Sequence, residues 1–77
     1  MSLSEQDRLI QMINQIAINN RSVGDNAAVA EVVAGHVQQF WSRRMKAQLV
    51  ELLDEAGDQL QPAARLAGER LRSANQG

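Results

Sequence analysis

Apolar residues recur at intervals of three and four along most of this chain, while polar residues and glycine gather at Arg21–Asn26, around Ser42, at Gly57–Gln61 and after Ser73. Intervals of three and four mark one face of a helix, whereas a half-buried strand alternates with period two. The pattern therefore predicts an all-α protein, a small three-to-four-helix bundle. The first helix begins at Ser4, whose hydroxyl is placed to accept the backbone N–H three residues on, with Asp7 as a short version of the capping-box acid. Leu9, Met12, Ile13, Ile16 and Ala17 then fall on one core-facing stripe, and Ile18 falls outside it.

Asn26, or Asp25 before it, caps a second helix in which Val29, Val32, Val33, Val37 and Phe40 share a face, with His36 at its centre and Trp41 at its edge. Valines also suit a strand, but their spacing, with alanines between, decides for helix. Ser42 caps a third helix carrying Met45, Leu49, Leu52, Leu53 and Ala56, and Gly57 is placed for a left-handed C-terminal stop. Pro62 fits an early position of a last, thinner helix in which Leu66, Ala67 and Leu71 form the stripe to about Arg72. These boundaries give a single helical domain over 4–72 and a polar tail over 73–77. Residues 1–3 carry no diagnostic pattern.

A chain of 77 residues has room for one domain, and a domain this short buries only about 60% of the surface its unfolded form exposes. Small scaffolds of this kind are commonly held by disulfides, a metal or a partner. Cysteine is absent and His36 is the one histidine, which excludes a disulfide framework, a thiolate metal site and a His-rich zinc centre. A partner protein or self-association remains. The net charge of −1 supplies no general attraction to nucleic acid or anionic lipid. No apolar run approaches the length of a membrane span or a signal-peptide core, so a cytoplasmic protein is expected.

The residues offer little chemistry. Ser-His-acid catalysis needs a base within reach of a hydroxyl, and helical phase puts His36 among the core valines instead. The glycines are scattered and build no phosphate-cradling loop. Glu51, Asp54 and Glu55 fall on the solvent side of the third helix. No catalytic residue, cofactor site or metal site is expected.

Contact features are better represented. Arg43, Arg44 and Lys46 crowd the N-terminal turn of the third helix, an order opposed to its macrodipole by about 0.3–1 kcal/mol per exposed charge. Beside Trp41, these arginines suit a surface that meets an acidic patch on a partner. Helix one has no charge between Arg8 and Arg21 and exposes Asn14, Gln15 and Ile18, which fits a docked helix and equally an ordinary amide-rich surface. The candidate contacts are thus Trp41, Arg43, Arg44, Asn14, Gln15 and Ile18, with Phe40 and His36 assigned to the core. On that division Phe40→Ala is expected to cost about 3–5 kcal/mol of folding stability. A helix-turn-helix reading, with Arg43, Arg44 and Lys46 on phosphates, is opposed by the acids further along the same helix.

Two stretches carry a family resemblance. The pattern Met-x-Asn-Gln-Ile-Ala at Met12–Ala17 and the pattern His-x-x-x-Phe-Trp-x-x-Arg-Met at His36–Met45, joined by an alanine-rich segment, resemble the delta subunit of NAD-dependent, molybdenum-containing formate dehydrogenases. The resemblance runs from about Asp7 to Leu71. Members often have proline immediately before the arginine of the second pattern, where this chain has Arg43; proline would fix the first helical turn, and arginine leaves it freer and adds charge. The resemblance implies a subunit without cofactors, attached to a complex whose large subunit oxidises formate at molybdenum while other subunits carry iron-sulfur clusters, flavin and the NAD site. It implies a non-catalytic role in stabilising or maturing the large catalytic subunit; the isolated chain is left open as monomer or homodimer. The alternative is a free-standing homodimeric helical adaptor or regulator.

Overall fold

The computed structural model describes residues 3–76; Met1 and Ser2, together with Gly77 at the end of the expected tail, lie outside the described residues. Four α-helices follow one another: α1 (Glu5–Asn19), α2 (Asn26–Phe40), α3 (Arg43–Ala56) and α4 (Pro62–Gln76). Single 3₁₀ turns at Arg21–Val23 and Gly57–Gln59 join α1 to α2 and α3 to α4. Among the described residues there is no strand. The chain is an all-α bundle.

Each of the first three helices starts where a short polar side chain satisfies an end N–H. Ser4 Oγ accepts from Asp7 N–H at 3.0 Å, Asp25 Oδ1 from Ala28 N–H at 2.9 Å, and Ser42 Oγ from Met45 N–H at 3.1 Å. The second helix is thus capped by Asp25, and Asn26 is its first residue. Pro62 occupies the first position of α4, where its missing N–H costs nothing.

Two helix ends depart from expectation. Gly57 keeps right-handed angles, φ −58° and ψ −27°, and leads into the 3₁₀ turn closed by Leu60 N–H on Gly57 O at 3.1 Å. No left-handed stop forms, because the tighter turn already satisfies the end carbonyl. Helix α4 also runs past Arg72 to Gln76, through much of the expected polar tail. Ser73, Ala74, Asn75 and Gln76 contain no breaker, so nothing local ends the helix at Arg72.

The core is continuous, and Ile13, Leu49, Leu52, Val33 and Val37 are its largest fully buried side chains. Among the described residues no polar or charged residue is buried. The most extensive helix contact is between α2 and α4. The buried residues of these two helices include Ala30 in α2 and Ala63, Ala64 and Ala67 in α4, small side chains that let two helix axes approach closely.

That alanine seam rotates α2 away from its valine-only phase. Ala30 is buried and Val32 is exposed, and the rotation carries His36 and Phe40 outward with it. Phe40 is 66% exposed, whereas Trp41 is 6% exposed and belongs to the core. The expected assignment of these neighbours is therefore reversed. Trp41 has already left the helix, with extended angles φ −85° and ψ 145°, so the phase of about 100° per residue no longer governs it. In α1, Ile10 is buried and Met12 is exposed, so the buried stripe of Leu9, Ile10, Ile13 and Ala17 is rotated from the expected one.

Candidate protein-docking surface

Between α1 and the end of α2 lies an open cleft of about 800 Å³, lined by Met12, Gln15 and Ile18 from α1, His36 from α2, Trp41 and neighbouring side chains. None of its lining residues is charged. This follows directly from the charge-free run between Arg8 and Arg21 and from the uncharged C-terminal half of α2. Trp41 contributes buried indole surface. Phe40 stands beside the cleft, its ring centroid 4.8 Å from that of His36, one helical turn earlier.

The expected contact residues fall into separate roles. Gln15 lines the cleft and its Nε2 donates to Asn19 Oδ1 at 3.0 Å, while Ile18 is 38% exposed at the same cleft. Asn14 lines the same cleft and also holds the fold together. Its Nδ2 donates to Gln59 O at 3.0 Å and its Oδ1 accepts Gln61 N–H at 2.8 Å, tying α1 to the segment that enters α4. No sequence pattern flags this, since the partners are 45 and 47 residues away.

The basic turn of α3 is also divided. Arg44 Nη2 lies 3.6 Å from Glu5 Oε2, both side chains being well exposed. Lys46 Nζ donates to Gln38 O at 3.0 Å, placing a cation on a carbonyl of the last turn of α2, where the helix dipole favours it. Arg43 is exposed and, among the described residues, makes no ion pair or side-chain hydrogen bond. Two of the three cations that oppose the α3 dipole are thus answered inside the fold. Arg43 is not.

Elsewhere Arg72 bridges α3 and α4, reaching Asp54 Oδ1 at 3.1 Å and Glu69 on its own helix. Its guanidinium is raised above its ordinary value first by the hydrogen bond to Glu69 and its charge, and then by Asp54. Among the described residues no group of three His, Cys, Asp or Glu side chains is arranged to hold a metal ion. His36 forms no hydrogen bond to another described side chain; its ring rests on Phe40. The phenylalanine was missed as a surface residue, and hydrophobic phase alone carries no signal that it is exposed.

A family model for the NADH-dependent formate dehydrogenase delta subunit, FdsD, matches residues 8–67. The chain belongs to this family. The matched segment contains every residue that lines the α1–α2 cleft, and it ends within α4 before Arg72. No curated protein and no solved structure matches the chain. No helix of the described FdsD-family chain is long and apolar enough to cross a membrane.

Proposed function

We propose that this delta-family chain is a non-catalytic accessory subunit that binds the large catalytic subunit of a cytoplasmic, NAD-dependent molybdenum formate dehydrogenase and stabilises it or assists its maturation. One observation carries the reading. Within the family-matched segment, an uncharged open cleft is bordered by Phe40 with two thirds of its surface in solvent, an arrangement without use in an isolated monomer. Interface centres are depleted in charge and enriched in aromatic residues. Redox chemistry belongs, on this reading, to the other subunits, and the delta chain contributes surface.

Co-expression of the tagged chain with the large subunit, followed by affinity purification and mass spectrometry, tests it. Recovery of both in fixed ratio is expected. Elution of the chain alone as a stable dimer, in a lysate that contains the whole complex, would replace this reading with the homodimeric adaptor.

A further inference from the structure

We infer that the α1–α2 cleft is the docking face, and that its occupant is an amphipathic segment of the catalytic subunit with apolar side chains at its centre and carboxylates toward its ends. This inference rests on the accessory-subunit reading and specifies where and how the contact is made. The lining of the cleft presents Met12 and Ile18, which are 42% and 38% exposed, and Phe40 beside it is 66% exposed. Gln11 and Gln15 add amide donors and acceptors to the lining, and there is no charge to desolvate. Such a surface accepts an apolar anchor with a few hydrogen bonds around it.

Charge at the margins selects among possible occupants. Arg8 lies one turn before Met12 on the same face of α1, and Arg43 opens α3 two residues after Trp41, which lines the cleft. Both arginines are exposed and make no ion pair among the described residues. The lining contains no carboxylate to answer them. A second copy laid cleft to cleft would join uncharged linings, the nearest acids of its own α1 being Glu5, already paired with Arg44, and Asp7. A segment of the catalytic subunit carrying Asp or Glu at its flanks fills the apolar centre and pairs both cations. The counter-dipole placement of Arg43 is then explained by the partner's charge, as those of Arg44 and Lys46 are explained by Glu5 and the Gln38 carbonyl.

The test is the affinity of the full chain for the remaining formate dehydrogenase subunits, measured with wild type, Phe40→Asp, Met12→Asp, Arg43→Glu and, as a control outside the cleft, Leu66→Asp. Leu66 is 42% exposed and does not line the cleft, so it matches Met12 in exposure and chemistry but not in place. Circular dichroism melts establish that each variant is folded. Phe40→Asp and Met12→Asp are expected to weaken binding at least tenfold, and Arg43→Glu to weaken it most at low salt. Leu66→Asp is expected to bind as wild type. If wild type itself does not bind, the accessory-subunit reading fails. If wild type binds and folded Phe40→Asp and Met12→Asp bind equally well, that reading stands and the docking face is overturned. Loss in Leu66→Asp with retention in the cleft variants would move the contact to α4.

Discussion

Asn14 Oδ1 accepts the backbone N–H of Gln61 at 2.8 Å, while the amide nitrogen of the same side chain donates to Gln59 O at 3.0 Å. An amide presents an acceptor and a donor on neighbouring atoms, which neither ionised aspartate nor leucine of similar size does. It fixes the entry to α4, and α4 makes the largest helix contact in the bundle. Asn14→Ala is expected to lose about 1–2 kcal/mol, since two backbone partners lose a half-buried hydrogen-bonding group. In a domain of this size that lowers the melting temperature by roughly 4–8 °C per kcal/mol.

Phe40 and Trp41 are adjacent, yet their substitution is expected to have opposite readouts. Trp41→Ala removes a buried indole and is expected to cost about 3–5 kcal/mol, a large fraction of the stability of so small a domain. Phe40→Ala removes an exposed ring and is expected to change stability by no more than about 0.5 kcal/mol. Thermal melts followed by circular dichroism separate the two. A normal melt for Trp41→Ala together with a collapsed one for Phe40→Ala would restore the phase-based assignment.

What was legible in the sequence divides along the range of the interaction. The caps at Ser4 and Ser42 and the position of Pro62 depend on residues within one turn, and the structure has them where the pattern puts them. The stripes in α1 and α3 were legible for Leu9, Ile13, Ala17, Leu49, Leu52, Leu53 and Ala56. Hydrophobic phase misplaced α2 because it weights valine over alanine, whereas a close helix pair buries its smallest side chains, here Ala30 against an alanine-rich α4. It misplaced Trp41 because the chain turns a corner there. Of the candidate contacts, Asn14, Gln15, Ile18 and Trp41 line one cleft, but the clamp that Asn14 also makes and the pairing of Arg44 with Glu5 depend on partners distant in sequence.

Gly35 and Gly68 both sit inside helices and are expected to respond to alanine with opposite signs. A Cβ at Gly35 meets nothing within 4 Å, so Gly35→Ala gains helix propensity alone and should stabilise by about 0.5–1 kcal/mol. A Cβ at Gly68 would lie 2.7 Å from Leu53 Cδ2 and 3.2 Å from its Cγ, inside the core between α4 and α3. Leu53 must give way, and overpacking costs of about 1–3 kcal/mol outweigh the propensity gain of about 1 kcal/mol. Gly68→Ala is therefore expected to melt below wild type. Urea midpoints for the two variants, on either side of the wild-type value, check the pair.

Arg72 joins α3 to α4 through Asp54 while also holding Glu69. The raised affinity of its guanidinium for the proton means that its stabilising charge is complete below the ordinary arginine value and is lost only as pH rises through the still higher folded value. Across neutral pH this bridge is accordingly indifferent to pH and sensitive to salt. Arg72→Gln is expected to melt below wild type at low ionic strength, with a difference that shrinks in high salt and does not change between mildly acidic and mildly basic buffers. A difference that instead persists unchanged in high salt would show that the side chain acts through packing.

Arg43 supplies a case in which stability and binding are expected to move in opposite directions. It is the first residue of α3, where unpaired N–H groups make positive charge unfavourable, and no acid among the described residues offsets it. Arg43→Glu puts the favoured sign at that end and is expected to raise the stability of the isolated chain by about 0.3–1 kcal/mol. The same change places a carboxylate where the partner is inferred to bring one, so the complex should weaken, most at low salt. Arg44→Glu differs because it sets two carboxylates, its own and that of Glu5, near each other in the free chain, where Arg44 Nη2 now lies 3.6 Å from Glu5 Oε2. Its effect on the melt is therefore expected to be smaller than that of Arg43→Glu, the dipole gain being offset by the lost pair. Melting curves of both isolated variants, set beside their affinities for the remaining subunits, check this. A more stable Arg43→Glu chain that binds as wild type would mean that Arg43 faces solvent in the complex.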